Sequence, residues 1–238
     1  MRFSSCVISS ALVFAATVAG PSVARAQNAP AGAIWDLNTV SPGLGSTYTQ
    51  FSTSFVADIT GTEYVSFAFR QAPSYFAFDD VQVYLSTASS TNLFTDADFE
   101  GSSGVVGSNF PAGWSRWIQP IDTSAIGEVA SNGAPYGCGT VLPNPAHGGS
   151  IFWCDGSVQG YDGIYQGIST TNGLTYDISF WLADRSGPTS VPSIDTLVYA
   201  GDNIPVGTVT IGGTPEPLTF ALVGLGLAVL GFRRRRAS

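Results

Sequence analysis

The stretch Tyr176-Asp177-Ile178-Ser179-Phe180-Trp181-Leu182 alternates apolar and polar side chains over most of its length, and it decides the fold class. Successive residues of a β-strand face opposite sides of a sheet, so this pattern predicts a half-buried strand. The same alternation recurs at residues 64–69, 81–85 and 206–211. No stretch between residues 27 and 214 sustains the 3.6-residue period of an amphipathic helix, so this region is predicted to be all-β.

Turn signals separate these predicted strands at intervals typical of antiparallel sandwiches. They are Ile59-Thr60-Gly61, Ser131-Asn132-Gly133, Thr171-Asn172-Gly173 and Gly201-Asp202-Asn203. The aromatic share of 12%, with 28 glycines and 14 prolines, also fits a turn-rich β-protein. We therefore expect an antiparallel β-sandwich or jelly roll, flanked by an N-terminal signal helix and a C-terminal apolar helix.

A faint internal repeat bears on domain organisation. Segments 48–51, 64–67 and 78–81 follow the same order of residue types as segments 165–168, 176–180 and 194–197. We interpret residues 27–90 as a partial sandwich unit and residues 91–212 as a fuller one, with a boundary near Thr91. A single core shared by both units is the alternative.

The N-terminus is typical of an export signal. Residues 1–26 contain Arg2, an apolar run from residue 7 to residue 19, and the small-x-small sequence that ends in Ala24 and Ala26. Signal peptidase requires such small residues, so we expect cleavage after Ala26 and export of the remaining chain.

At the C-terminus, Pro215, Glu216 and Pro217 precede fifteen uncharged, largely apolar residues, 218–232. Four arginines follow: Arg233, Arg234, Arg235 and Arg236. A helix of that length reaches only ~22 Å, against a hydrocarbon core of ~30 Å, so it is a marginal membrane anchor. The arginines favour the cytoplasmic side, which predicts that residues 27–214 lie outside the plasma membrane.

The order of tripeptide, short apolar helix and arginine cluster resembles the PEP-CTERM sorting signal, also described as the ice-binding protein C-terminal domain. The match covers residues 214–236, within a sorting segment that we place at 213–238. The resemblance implies recognition by an exosortase in the inner membrane, transient anchoring, removal of the tail, and transfer to the outer surface or the extracellular matrix. An ordinary tail anchor is the alternative.

The charge of the chain excludes nucleic-acid binding. The chain has nine arginines, no lysine and a pI near 4.3, so it offers no basic face for nucleic acid. Between residues 27 and 214 only Arg70, Arg116 and Arg185 remain, against sixteen acidic residues, which gives a net charge of about −13. Such a surface repels anionic polymers.

Residues 92–114 resemble the start of galactose-binding-like jelly rolls. The matching motifs are Asn92-Leu93-Phe94, Asp98-Phe99-Glu100 and Pro111-Ala112-Gly113-Trp114, although Asp96-Ala97-Asp98 stands where Asn-Gly is usual. The resemblance implies a structural Ca²⁺ held by Asp96, Asp98 and Glu100. The alternative is that these acids cap backbone amides in their own turns, with no cofactor bound.

Two cysteines, Cys138 and Cys154, remain after removal of the signal peptide, in an oxidising compartment. We expect a disulfide between them, which in the entropic model stabilises the fold by about 3 kcal/mol. A zinc site of Cys138, His147 and Cys154 lacks a fourth ligand at suitable spacing.

Catalytic motifs are sparse. The chain has one histidine, His147, and no Gly-x-Ser-x-Gly sequence, so a hydrolase triad is not predicted. A glycoside hydrolase would need two carboxylates; Asp155 or Asp162 is a candidate for one of them, and nothing in the sequence identifies the pair. We expect a protein that is not an enzyme.

Aromatic residues next to Asp and Gln within residues 153–166 indicate contacts to a glycan. The candidates are Trp153, Asp155, Tyr161 and Gln166, for which core packing is the alternative. The sequence therefore predicts a non-enzymatic structural or adhesive surface protein. A carbohydrate-binding module for exopolysaccharide is the alternative, and a polysaccharide-degrading enzyme is the third hypothesis.

Overall fold

Alternating apolar residues build two antiparallel sheets that pack face to face. The computed structural model describes residues 29–40, 44–71, 75–119, 127–133, 146–158, 160–184 and 194–202. Its strands are β1 (Trp35–Asp36), β2 (Thr49–Val56), β3 (Gly61–Gln71), β4 (Phe76–Leu85), β5 (Ser115–Ile118), β6 (Glu128–Ser131), β7 (Ile151–Asp155), β8 (Asp162–Thr170), β9 (Thr175–Asp184) and β10 (Ile194–Gly201). Two short helices, α1 (Leu37–Val40) and a 3₁₀ helix (Glu100–Val105), complete the described elements. The predicted antiparallel β-sandwich is confirmed.

Each sheet contains five of the described strands. Sheet A has the order β1-β10-β3-β8-β5, and sheet B has the order β2-β9-β4-β7-β6. In sheet A, β3 lies between β10 and β8, whereas in sheet B, β9 lies between β2 and β4. The two halves of the internal repeat, β2-β3-β4 and β8-β9-β10, are therefore interlocked, because the central strand of each pairs with the outer strands of the other.

This interlocking corrects the predicted division of the chain. Strands from both sides of Thr91 pair within each sheet, and β3 and β9 both contribute to one hydrophobic core. The described parts of residues 27–90 and 91–212 thus form one sandwich, as the shared-core alternative stated. The predicted signal helix at 1–26 and the sorting segment at 213–238 lie outside the described residues.

An aromatic cluster fills the space between the sheets. Phe67 of β3 lies 4.8 Å from Phe78 of β4 and 5.5 Å from Phe180 of β9, measured between ring centroids. Phe78 and Phe180 are 5.6 Å apart, and all three side chains are fully buried. Such ring pairs add to the stabilisation that buried apolar area gives, so this cluster holds the sheets together.

A β-bulge in β4 decides what the outer face of sheet B presents. Phe76 and Phe78 face the core, and after a register shift between Asp79 and Gln82 the inward residues are Val81 and Val83. One extra residue in a strand reverses which side its side chains face. Asp80, within this bulge, has a φ of 47°, a left-handed conformation that is uncommon for residues with a side chain.

The predicted strands at 64–69, 81–85 and 176–182 lie within β3, β4 and β9. The predicted strand at 206–211 lies outside the described residues. Among the residues that are described, no helix is long and apolar enough to span a bilayer.

Candidate functional site

The residues predicted to contact a glycan lie in the interior. Trp153, Asp155 and Tyr161 are fully buried, and Gln166 is also buried. Trp153 Nε1 donates a hydrogen bond of 3.1 Å to Asp155 Oδ2. These side chains occupy β7, β8 and the residue that precedes β8, where a surface ligand does not reach them, so their burial fits the core-packing alternative.

The Gln166 amide holds a neighbouring segment against sheet A. Its Nε2 donates to the carbonyl oxygen of Thr95 at 2.6 Å, and its Oε1 accepts from the Thr95 amide at 3.0 Å. The Gln166 side chain thus forms both hydrogen bonds that a neighbouring strand would form with the Thr95 backbone. Its role is therefore structural.

Asp155 and Asp162 interact with each other inside the sandwich. Burial raises the pKa of Asp155 well above its usual range, and the charge and hydrogen bond of Asp162 raise it further. Asp162 Oδ2 accepts from Arg116 Nη2 at 3.0 Å; the Asp162 side chain is fully buried and that of Arg116 is 9% exposed. The desolvation of these buried groups favours the protonated form of Asp155, and the pair lies in the interior at the end of β7 and the start of β8.

The predicted calcium ligands bind the chain itself. Asp96 accepts from the Gly101 amide at 2.6 Å and from the Ser102 hydroxyl at 2.5 Å. Asp98 Oδ1 accepts from the amide of Glu100 at 3.3 Å. These contacts fit the turn-capping alternative, and the described residues contain no group of three or more potential metal ligands.

Cys154 is disulfide-bonded, while its predicted partner Cys138 lies outside the described residues. The pairing between these two therefore stays a prediction. A disulfide-bonded Cys154 has no thiolate to offer a metal, so the zinc site loses this ligand. The cleavage residues Ala24 and Ala26 and the sorting residues Pro215 to Pro217 and Arg233 to Arg236 also lie outside the described residues.

The loop of residues 146–151, which we call the amide loop, is held to sheet B by carboxylates. Asp79 Oδ2 accepts from the amides of His147 at 2.8 Å and Gly148 at 3.2 Å. Glu100 Oε1 accepts from the amides of Ser150 at 2.6 Å and Ile151 at 2.7 Å. Each of these two acids accepts two backbone amides of the loop, and the four hydrogen bonds together fix it.

Two glycines allow the carboxylates to approach the amide loop. A Cβ on Gly148 would lie 2.8 Å from Asp80 Oδ2, and one on Gly149 would overlap the Glu100 carboxylate. Gly149 also has a φ of +54°, where residues with a Cβ are strained. The Gly-Gly sequence after His147 thus leaves room for these carboxylates.

The amide loop brings three rings together, and we call Tyr48, His147 and Trp181 the aromatic corner. The His147 ring stacks on Trp181 with centroids 3.8 Å apart and an interplanar angle of 16°. Tyr48 meets the His147 ring edge-on at 5.3 Å. His147 Nδ1 also bonds to Asp80 Oδ2, and the His147 and Asp80 side chains remain 30% and 28% exposed. The corner therefore presents aromatic surface next to a carboxylate.

Asp79 lies beneath this corner, and its side chain is fully buried. Burial raises the pKa of Asp79 to about 7, the charge of Asp80 adds to the rise, and three backbone amides oppose it. Asp79 is consequently protonated in part of the molecules near neutral pH.

Sequence reasoning missed this site because its members are distant in the chain. The available signal was the Asp79-Asp80 pair, which interrupts the alternation of β4. His147 stands out in the sequence only as its single histidine, and nothing there pairs it with Trp181.

Comparisons of the chain with protein-family models, with curated proteins and with solved structures find no match.

Proposed function

We propose that the chain is an exported protein whose sandwich serves as a non-enzymatic structural or adhesive module at the cell surface or in the extracellular matrix. In this proposal, signal peptidase cuts after Ala26. An exosortase then acts at Pro215, Glu216 and Pro217, after transient anchoring by the apolar segment that ends in the arginine cluster.

The burial and the contacts of the candidate acid and base groups support a non-enzymatic role. Asp155 and Asp162, each a candidate for one glycosidase carboxylate, are fully buried, whereas the carboxyls of a glycoside hydrolase must flank a sugar. The chain's one histidine, His147, is held by stacking on Trp181 and by Asp80. These groups support the packing of the module.

Mass spectrometry of the protein from cells that contain an exosortase tests the sorting route. We expect a mature C-terminus within the sorting segment, without Arg233 to Arg236. An intact tail through Ser238 in such cells would contradict it. Release of reducing sugars from polysaccharides by the purified protein would contradict the non-enzymatic role.

Carbohydrate binding is the second candidate function, and the aromatic corner favours it. Sugars bind through the apolar faces of their rings to aromatic side chains and through hydroxyls to planar polar groups. Trp181, Tyr48 and His147 lie beside Asp80 on the outer side of sheet B, whereas the residues first predicted for this role are buried.

A further inference from the structure

The outer side of sheet B extends the aromatic corner into a polar surface. Strand register aligns its side chains in three rows across β2, β9 and β4. The rows are Gln50, Trp181 and Asp79; Ser52, Ser179 and Gln82; and Ser54, Asp177 and Tyr84. We call this surface the polar face.

The polar face is accessible along its edge strand. Gln50, Ser52 and Ser54 of β2 are exposed, as is Gln82 of β4. The β7 and β6 side of the same sheet is different, because Phe152 and other apolar residues there are buried under Tyr48, Tyr75 and Ala146. A ligand thus has access to the β2-β9-β4 side.

The shape of the polar face suits an extended chain of sugar rings. Small serine side chains line its middle row, between the aromatic corner at one end and the half-buried Tyr84 at the other. Trp181 and Asp177 are four residues apart on β9, which corresponds to about 13 Å along the strand. Rings at both ends with amides, hydroxyls and a carboxylate between them provide stacking and hydrogen bonding.

The charge of the polar face selects among polysaccharides. It carries the Asp177 and Asp80 carboxylates, while the two arginines within the described residues, Arg70 and Arg116, belong to strands of sheet A. The chain has no lysine, and residues 27–214 carry a net charge of about −13. A polyanion is repelled by such a surface, and a polymer bearing ammonium groups is attracted to it.

We propose that the polar face binds a polysaccharide with protonated amino groups, with its sugar rings on the aromatic corner and Tyr84 and its ammonium groups near Asp177 and Asp80. This inference rests on the second candidate function, carbohydrate binding, and it supplies the class of ligand and the location of the site.

Isothermal titration of the full chain with a glucosamine oligomer tests the proposal, with the N-acetylated oligomer, alginate and polylysine as comparison ligands. We expect the glucosamine oligomer to bind best. Binding must weaken as salt increases, because exposed charges are screened.

Paired variants locate the site. Ser54→Arg places a cation on the polar face, and Ser115→Arg makes the same change on the exposed edge strand of sheet A. Tyr84→Ala removes an aromatic ring from the polar face, whereas Tyr165→Ala removes one from a strand of sheet A. We expect each change on the polar face to weaken binding by about tenfold and each control to leave it nearly unchanged.

The results distinguish the selection of amino groups from carbohydrate binding at the polar face. Equal binding of glucosamine and N-acetylated oligomers, lost in Ser54→Arg, would overturn the selection of amino groups and leave carbohydrate binding at this face intact. Equal binding of polylysine, or equal loss in Ser54→Arg and Ser115→Arg, would overturn the site, since net charge alone would explain it. No binding of any saccharide would overturn both this inference and the second candidate function.

Discussion

The outer sides of the two sheets differ although both are built from alternating strands. On sheet A, the outward residues Ala68, Leu197 and Tyr199 are buried and pack with Ala29 and Ala33. On sheet B, the outward residues Gln50, Ser52 and Ser54 of β2 are exposed polar side chains. The same strand period therefore produces one covered face and one face that is partly open, and the open face is where a ligand has access.

Hydrogen bonds reinforce the cover on sheet A. The Tyr199 hydroxyl donates to the carbonyl oxygen of Pro30 at 2.8 Å, and Trp117 Nε1 donates to Ser66 Oγ at 2.7 Å. Tyr161 OH donates to Asp195 Oδ2 at 2.6 Å. Large amphipathic rings thus serve as the cover of sheet A, whereas on sheet B the rings of the aromatic corner lie near the surface.

The largest expected effect comes from breaking the core that both faces share. Phe180→Ala removes a ring that packs on Phe67 and Phe78, so we expect a loss of about 3–5 kcal/mol in the free energy of unfolding. Urea unfolding measured by circular dichroism and by tryptophan fluorescence checks this. Val56→Ala, at an exposed position of β2, is the control and should change stability by less than about 0.5 kcal/mol.

The two unfolding probes also test the single sandwich. Both should report the same midpoint in the wild-type protein, because the sheets share one core. Two separate transitions would contradict the interlocked topology and restore a division near Thr91.

A second comparison uses pH, because each outer face contains one buried acid with a raised pKa. Burial raises the pKa of Asp79 on sheet B to about 7, and burial likewise raises that of Asp195 on sheet A to about 7. In the folded state these groups hold protons that the unfolded chain releases above pH about 4. Their contribution to stability is therefore greatest at acid pH and is lost as pH rises through about 7.

Asp79→Asn and Asp195→Asn isolate these contributions. Each variant should flatten the fall in the free energy of unfolding between pH 4.5 and pH 7 by up to about 1.4 kcal/mol per pH unit. Urea titrations across that range supply the measurement. An unchanged slope in either variant would show that its carboxyl is ionised throughout.

The amide loop provides a third test. Gly149→Ala and Gly133→Ala both place a Cβ at a positive φ, which costs about 1–2 kcal/mol. At Gly133 the added Cβ meets nothing within 4 Å, whereas at Gly149 it overlaps the Glu100 carboxylate. We expect Gly149→Ala to lose a further 1–3 kcal/mol or so in urea unfolding, as overpacking does. Equal losses would contradict the role of Glu100 in fixing the loop.

The smallest expected effect comes from removing a single tyrosine hydroxyl on each of the two faces. Tyr199→Phe leaves the Pro30 carbonyl without its donor, so we expect a loss of about 1 kcal/mol in thermal or urea unfolding. Tyr84→Phe on the polar face should leave stability within about 0.5 kcal/mol of the wild type. If the two variants were equally stable, the cover on sheet A would not depend on this hydrogen bond.

Alternation was sufficient to predict β3, β4 and β9, because each keeps a period of two over five or more residues. The pattern does not state which face of a strand points inward, and for that reason Trp153 and Tyr161 were predicted as glycan contacts although they are buried. Composition alone does not distinguish a Gly-rich aromatic segment in a surface loop from one in a buried strand.

The polar face and the aromatic corner depend on contacts that no local pattern encodes. Tyr48, His147 and Trp181 meet only after the sheets assemble, and the bulge that turns Gln82 and Tyr84 outward is a feature of strand pairing. The internal repeat was visible in the sequence, but its interlocking required the register of β3 and β9 with their neighbours.

Amide chemical-shift mapping with a glucosamine oligomer distinguishes the two outer faces as binding surfaces. We expect the shifted amides to lie in β2, β9 and the second half of β4, together with His147 and Gly148. Amides of β1, β10 and β5, in sheet A, should not shift. Shifts confined to sheet A, or scattered over the surface without a pattern, would contradict the assignment of the open face of sheet B as the binding surface.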